Sequence, residues 1–124
     1  MEFLGVNETE KFEQACRHFD SAEYFEAHEV WEDLWHMASG TRHAYLQGLI
    51  QVAAALHHCQ NGNLRGARKL LARSLTYLEK AGAGPHEVDL VVVKDRVLDI
   101  ELAMQAIDEG KLMELPYFLL PRLK

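Results

Sequence analysis

The chain predicts an all-α, single-domain bundle of about five antiparallel helices, and three observations predict it. Apolar residues recur at steps of three and four along most of its 124 residues. Glycine and proline gather at a few points, "SG", "NGN" and "AGAGP", as helix punctuation does. The segments between those points are long enough for helices, and connections of a few residues favour antiparallel neighbours. At this length one domain, spanning 1–124, buries a core without disulfide or metal staples.

Taken in order, "NETE" sets Asn7 and Glu10 at capping-box spacing and predicts a first helix to about His18. Asp20 or Ser21 is the expected N-cap of a second helix running to about Ala38, ended by Ser39-Gly40. Thr41 is positioned to cap a third helix that extends to about Gln60. "NGN" then stops and restarts the chain, with Gly62 able to turn left-handed and Asn63 able to cap the fourth helix. That helix ends in the loop of Gly82, Gly84 and Pro85. A fifth begins near Asp89, stops at Gly110, and aligns Leu90, Val93, Val97, Ile100, Met104 and Ile107 on one face. "VDLVVV" taken alone would suit a strand as well. The tail "LPYFLLPRLK", apolar and twice interrupted by proline, is expected to pack irregularly over the bundle or across a dimer contact.

Composition excludes several classes. With 48% hydrophobic and 26% charged residues the chain is neither disordered nor membrane-like, and no apolar run approaches the ~20 residues of a span. A net charge of −6 argues against a nucleic-acid binder. Residues 2–33 hold ten acids against Lys11 and Arg17, whereas 64–80 hold Arg65, Arg68, Lys69, Arg73 and Lys80 against Glu79. Solvated faces of opposite sign account for this, and so would steering of a protein partner. Cys16 and Cys59 have no CxxC spacing, and "MEFLGVNETEKF" lacks a leader's basic start and apolar run. The expectation is a reduced, cytoplasmic protein with both thiols as small buried groups.

The chemistry concentrates in "EYFEAHEVWEDLWH", residues 23–36. At about 100° per residue, Ala27, Val30, Trp31, Leu34 and Ala38 form a core stripe. Tyr24, Phe25, His28, Glu32 and Trp35 share the flank beside it, while Glu26, Glu29 and Asp33 point to solvent. On the third helix Leu46, Leu49, Ile50, Ala53 and Leu56 make the core stripe. Gln47, Gln51 and His58 line the next stripe, with Ala54 leaving room among them. If helices two and three pack antiparallel, the two polar flanks surround one pocket.

Within that pocket His28 and Glu32, at i and i+4, can reach one divalent metal ion, with Gln51 or His58 as the third ligand. Alternatively they bind a small polar ligand alongside Gln47, Gln51, Trp35 and Tyr24. As catalytic groups, Glu32 and His28 would form a general acid–base pair, for instance in a hydrolysis. A competing account makes His28, Glu32 and Trp35 a structural network in a scaffold or interaction module. "GNLRGARKLLARSLTYLEK" supports that account, since it looks like half of a tetratricopeptide hairpin. A di-iron carboxylate bundle is disfavoured, because 41–60 contains no acid, and HExxH, the P-loop and a nucleophile elbow are absent. Arg42 pairs with surface acid or reaches a ligand anion, and His57 and His58 diverge too far to share a metal.

"FDSAEYFEAHEVWEDLW", followed by "R..YLQGLIQVAAALHHCQNGNLRGARKLL", resembles the family catalogued as domain of unknown function 309. These small bacterial and archaeal helical proteins share His, three residues, Glu, two residues, then Trp or Tyr. Here that pattern is His28, Glu32 and Trp35, and the resemblance covers about 12–80, leaving the fifth helix and tail (86–124) outside it. It implies an all-α fold and a motif suspected of binding metal, with no established activity. A homo-oligomer or a protein partner is compatible with it.

Overall fold

The computed structural model describes residues 3–108, 110, 119, 120 and 122. Among the described residues five helices follow one another: α1 (Phe3–Asp20), α2 (Tyr24–Trp35), α3 (Gly40–Gln60), α4 (Leu64–Ala81) and α5 (Leu90–Asp108). Each packs against the next, and α3 is clasped between α2 and α4. The Trp35 ring meets His43 at one end of the α2–α3 seam and Phe25 meets His57 at the other, so these two helices run antiparallel.

Burial follows most of the predicted stripes, although Val30 and Ala38, expected on the second helix, and Ile107 of the fifth are only half-buried. Leu46, Leu49, Ile50, Ala53 and Leu56 are all buried on α3, as are Tyr45, Gly48, Val52 and Ala55, because this central helix has neighbours on opposite sides. Gly48 permits the tight α3–α4 approach: a Cβ there would lie 2.5 Å from Leu78 Cδ2. On α5 the residues Leu90, Val93, Val97, Ile100 and Met104 face inward. Between α1, α2 and α3 the rings of Phe12, Phe19, Trp31 and Tyr45 are essentially sealed from water, and Trp31 sits 6.0 Å from both phenylalanines. Such rings bury more apolar surface per residue than any other side chains, so this contact dominates the core.

Several predicted boundaries shift for local reasons. The first helix begins at Phe3, which places Asn7 inside it rather than at a cap. Asp20 does not cap α2; α1 runs through it, and its carboxylate accepts hydrogen bonds from the Leu120 N–H and from Arg122. Ala22 takes φ +61° in the turn, and Glu23 stands at the N-cap position of α2. The same helix ends at Trp35, since Met37 and Ala38 bond back only three residues. Ser39, in extended conformation, precedes α3, which displaces Thr41 from the expected cap. Asn63 caps α4 as predicted, its Oδ1 accepting the Gly66 N–H at 3.0 Å. Asp89 Oδ1 accepts the Val91 and Val92 N–H groups at the start of α5, so "VDLVVV" enters a helix.

Of the tail, Leu120 is buried, and Arg122 pairs with Glu13 and Asp20 at 2.9 and 2.8 Å and bridges to Val88. The remainder, 111–118, 121, 123 and 124, lies outside the described residues. Among the described residues no helix is long and apolar enough to cross a membrane.

Candidate functional site

Toward the C-terminal end of α3 the seam with α2 opens into a hollow of about 240 Å³ lined by Phe25, His28, Ala54, His57 and His58. Its cause is local. Ala54 offers a methyl group where neighbouring turns carry larger side chains, and the rings around it stand apart. Phe25 lies 5.4 Å from His28 and 5.3 Å from His57, and His57 lies 6.3 Å from His58. Phe25 is 44% exposed, unusual for a phenylalanine, because its face borders this space instead of the core.

Each imidazole has a distinct partner. A carbonyl can only accept, so His28 donates from Nδ1 to the Phe25 oxygen at 3.1 Å. Its Nε2 lies 3.4 Å from Glu32 Oε2, an ion pair when the ring is protonated. The Asn61 amide meets His57 Nε2 at 3.2 Å, and the Asn63 amide meets His58 Nδ1 at 3.3 Å. Glu32 is 46% exposed against 22% for His28, the setting of an ordinary helix-surface pair at i, i+4.

The residues singled out from the sequence therefore separate. His28 and His58 meet at the hollow, and Glu32 touches it through His28. Tyr24 does not; only 8% exposed, it packs edge-on against Phe19 at 5.0 Å in the core. Trp35 lies farther along the seam, its ring 4.5 Å from His43. Gln47 and Gln51 are half-buried on α3 without lining the hollow. Among the described residues, Gln51 Oε1 and the indole nitrogens of Trp31 and Trp35 are buried without a hydrogen-bond partner. Phe25 and His57 also line the hollow, although spacing along the chain marks neither as a ligand contact. Adjacent histidines diverge too far for one metal, but lining a hollow requires only that both rings border the same space.

Among the described residues no three His, Cys, Asp or Glu side chains come together to hold an ion, and two ligands fall short of the usual four-coordinate shell.

A second cluster closes the opposite end of α3. Arg42 forms a two-pronged pair with Glu87 at 2.7 and 2.8 Å and lies over the Phe12 and Tyr45 rings. Tyr45 stacks on His86 at 4.3 Å and receives the Val88 N–H on its hydroxyl. Burial opposes ionisation of Glu87, but the Arg42 hydrogen bonds outweigh it and hold the carboxyl below its usual value. Burial pushes the Tyr45 phenol up, and likewise the thiols of Cys16, to about 12, and Cys59, to about 11. Cys16 is buried as expected, whereas Cys59 is only half-buried, and the raised values favour the protonated thiol at both.

Residues 12–70 match the family described as domain of unknown function (DUF309). The uncharacterized protein YpuF of Bacillus subtilis (strain 168) is 40% identical over 58 residues, 46% of this chain and 33% of that protein. The matched stretch thus spans about a third of the curated relative's length. The family match takes in the whole wall of the hollow, from Phe25 to His58. Over residues 12–70, just under half of its length, this chain is similar to the domain of unknown function family DUF309.

Proposed function

We infer that the protein binds a small ring-shaped ligand at the α2–α3 seam, with Phe25, His28, His57 and His58 as its walls and Ala54 as its floor. The observation that carries this is the convergence of four rings on one hollow, with His28 held at both ring nitrogens and His57 and His58 each anchored at one. Ligand sites combine apolar walls with a few placed polar groups, and this hollow has that composition. At about 240 Å³ it suits a single ring with a substituent rather than a nucleotide. Glu32 holds His28 in place here, and no hydrolytic step is assigned to either residue.

Amide shifts of the isotopically labelled protein, titrated with phenol, test the reading. Saturable shifts grouped at Phe25, His28, Ala54, His57 and His58, and weakened in His28→Ala and His58→Ala with the fold intact, are expected. Shifts scattered elsewhere, or none at millimolar phenol, would overturn it. Zinc in a parallel titration separates the metal reading: saturation at one equivalent, lost in His28→Ala and Glu32→Ala, would restore a metal there.

A further inference from the structure

Asn63 caps α4 and contacts His58, one of the residues that line the hollow. Its Oδ1 is committed to the capping bond with the Gly66 N–H at 3.0 Å. The same amide therefore directs Nδ2 at His58, whose Nδ1 lies 3.3 Å away. An amide NH₂ only donates, so this contact is a hydrogen bond when His58 Nδ1 carries a lone pair. In the neutral ring the proton then sits on Nε2, which points away from Asn63.

The other two imidazoles are held differently. His28 has Nδ1 on the Phe25 carbonyl and Nε2 against Glu32, which leaves it no ring nitrogen to offer. His57 meets the Asn61 amide, which has no second anchor among the described residues to decide which end faces the ring. Gly66 adds an independent sign that the Asn63 amide is placed. A Cβ there would lie 2.6 Å from Asn63 Nδ2 and 3.1 Å from its Cγ. A residue larger than glycine would therefore turn the amide away from His58.

We propose that Asn63 is a positioning residue that keeps the His58 proton on Nε2, and that the hollow's ligand is a planar ring bearing a hydrogen-bond acceptor, a carbonyl or carboxylate. This rests on the reading of the hollow as a ligand site. The cap of α4 and the donor in the hollow are then one device, because a single amide serves both.

Long-range proton–nitrogen NMR of the histidine rings reads the tautomer directly. Neutral His58 is expected as the Nε2–H form. Gly66→Ala and Asn63→Ser, which keep a helix-compatible residue and a capping hydroxyl respectively, should lose that bias at unchanged helix content. An Nδ1–H form in the parent protein, or a bias unaltered by both substitutions, overturns the role of Asn63. Titration with benzoate, benzamide and benzylammonium tests the ligand class. Benzoate and benzamide are expected to bind, benzylammonium at least about tenfold more weakly, and Gly66→Ala to weaken benzamide about three- to tenfold, the size of one hydrogen bond. Benzylammonium binding as tightly as benzamide would sink the acceptor class yet leave the hollow as a site. Failure of all three to bind would remove the site itself.

Discussion

The two ends of α3 are built from similar parts and finished differently. At its N-terminal end Arg42, Tyr45 and the partners His86 and Glu87 form a closed set, in which charge meets charge and ring meets ring. At its C-terminal end His57 and His58 meet Phe25 and His28 across a hollow. The loop between α4 and α5 explains the contrast, since residues 86–88 fold over the first end and nothing comparable among the described residues covers the second. Groups that satisfy one another hold a fold together, whereas groups satisfied at one edge remain available to a ligand.

Substitutions can break this contrast. Tyr45→Ala removes the ring stacked between Phe12 and His86 together with the acceptor of the Val88 N–H, and should cost about 3–5 kcal/mol in urea unfolding. Gly48→Ala, midway along the helix, forces a methyl group onto Leu78 and should cost about 1–3 kcal/mol by the same measure. A loss below a few tenths would show that α3 and α4 separate more readily than this contact implies.

Arg42→Ala comes next, at about 1–2 kcal/mol, because water reaches a third or more of each side chain and weakens the pair. Its effect depends on pH. Glu87 has a carboxyl value lowered on folding, so its pairing contributes fully above the unfolded value near about 4.3. That contribution is lost as the pH falls through the lower folded value. The parent should therefore lose more stability than Arg42→Ala across that interval, and parallel acid limbs would contradict the pairing. The smallest effect belongs to the open end: His28→Ala and Glu32→Ala should each change stability by under about 0.5 kcal/mol. A cost of several kcal/mol there would instead support the structural network of His28, Glu32 and Trp35.

Much of this arrangement was legible in order along the chain. The α3 core stripe, the inward face of α5 and the Asn63 cap follow from spacing alone, because a helix advances by a constant angle. The Asn-x-x-Glu box at residue 7 misled, since that pattern is equally at home inside a helix that has already begun. Asp20 misled for another reason, as its carboxylate serves Leu120 and Arg122, a hundred residues away in sequence. At the site, His28, Ala54 and His58 were legible as members of two facing stripes. Tyr24 shares the flank of His28, yet Phe19 of α1 draws it into the core.

By itself, then, the sequence determined how many helices form, roughly where each turns, and which angular sector of each is apolar. Only the tertiary structure decided which end of α3 is covered, that Phe25 and His57 border the same space, and that Glu32 pairs outward. The reason is geometric. Periodicity along one helix specifies the direction of a side chain from its own axis, whereas a hollow is a property of two helices and whatever a third segment leaves uncovered.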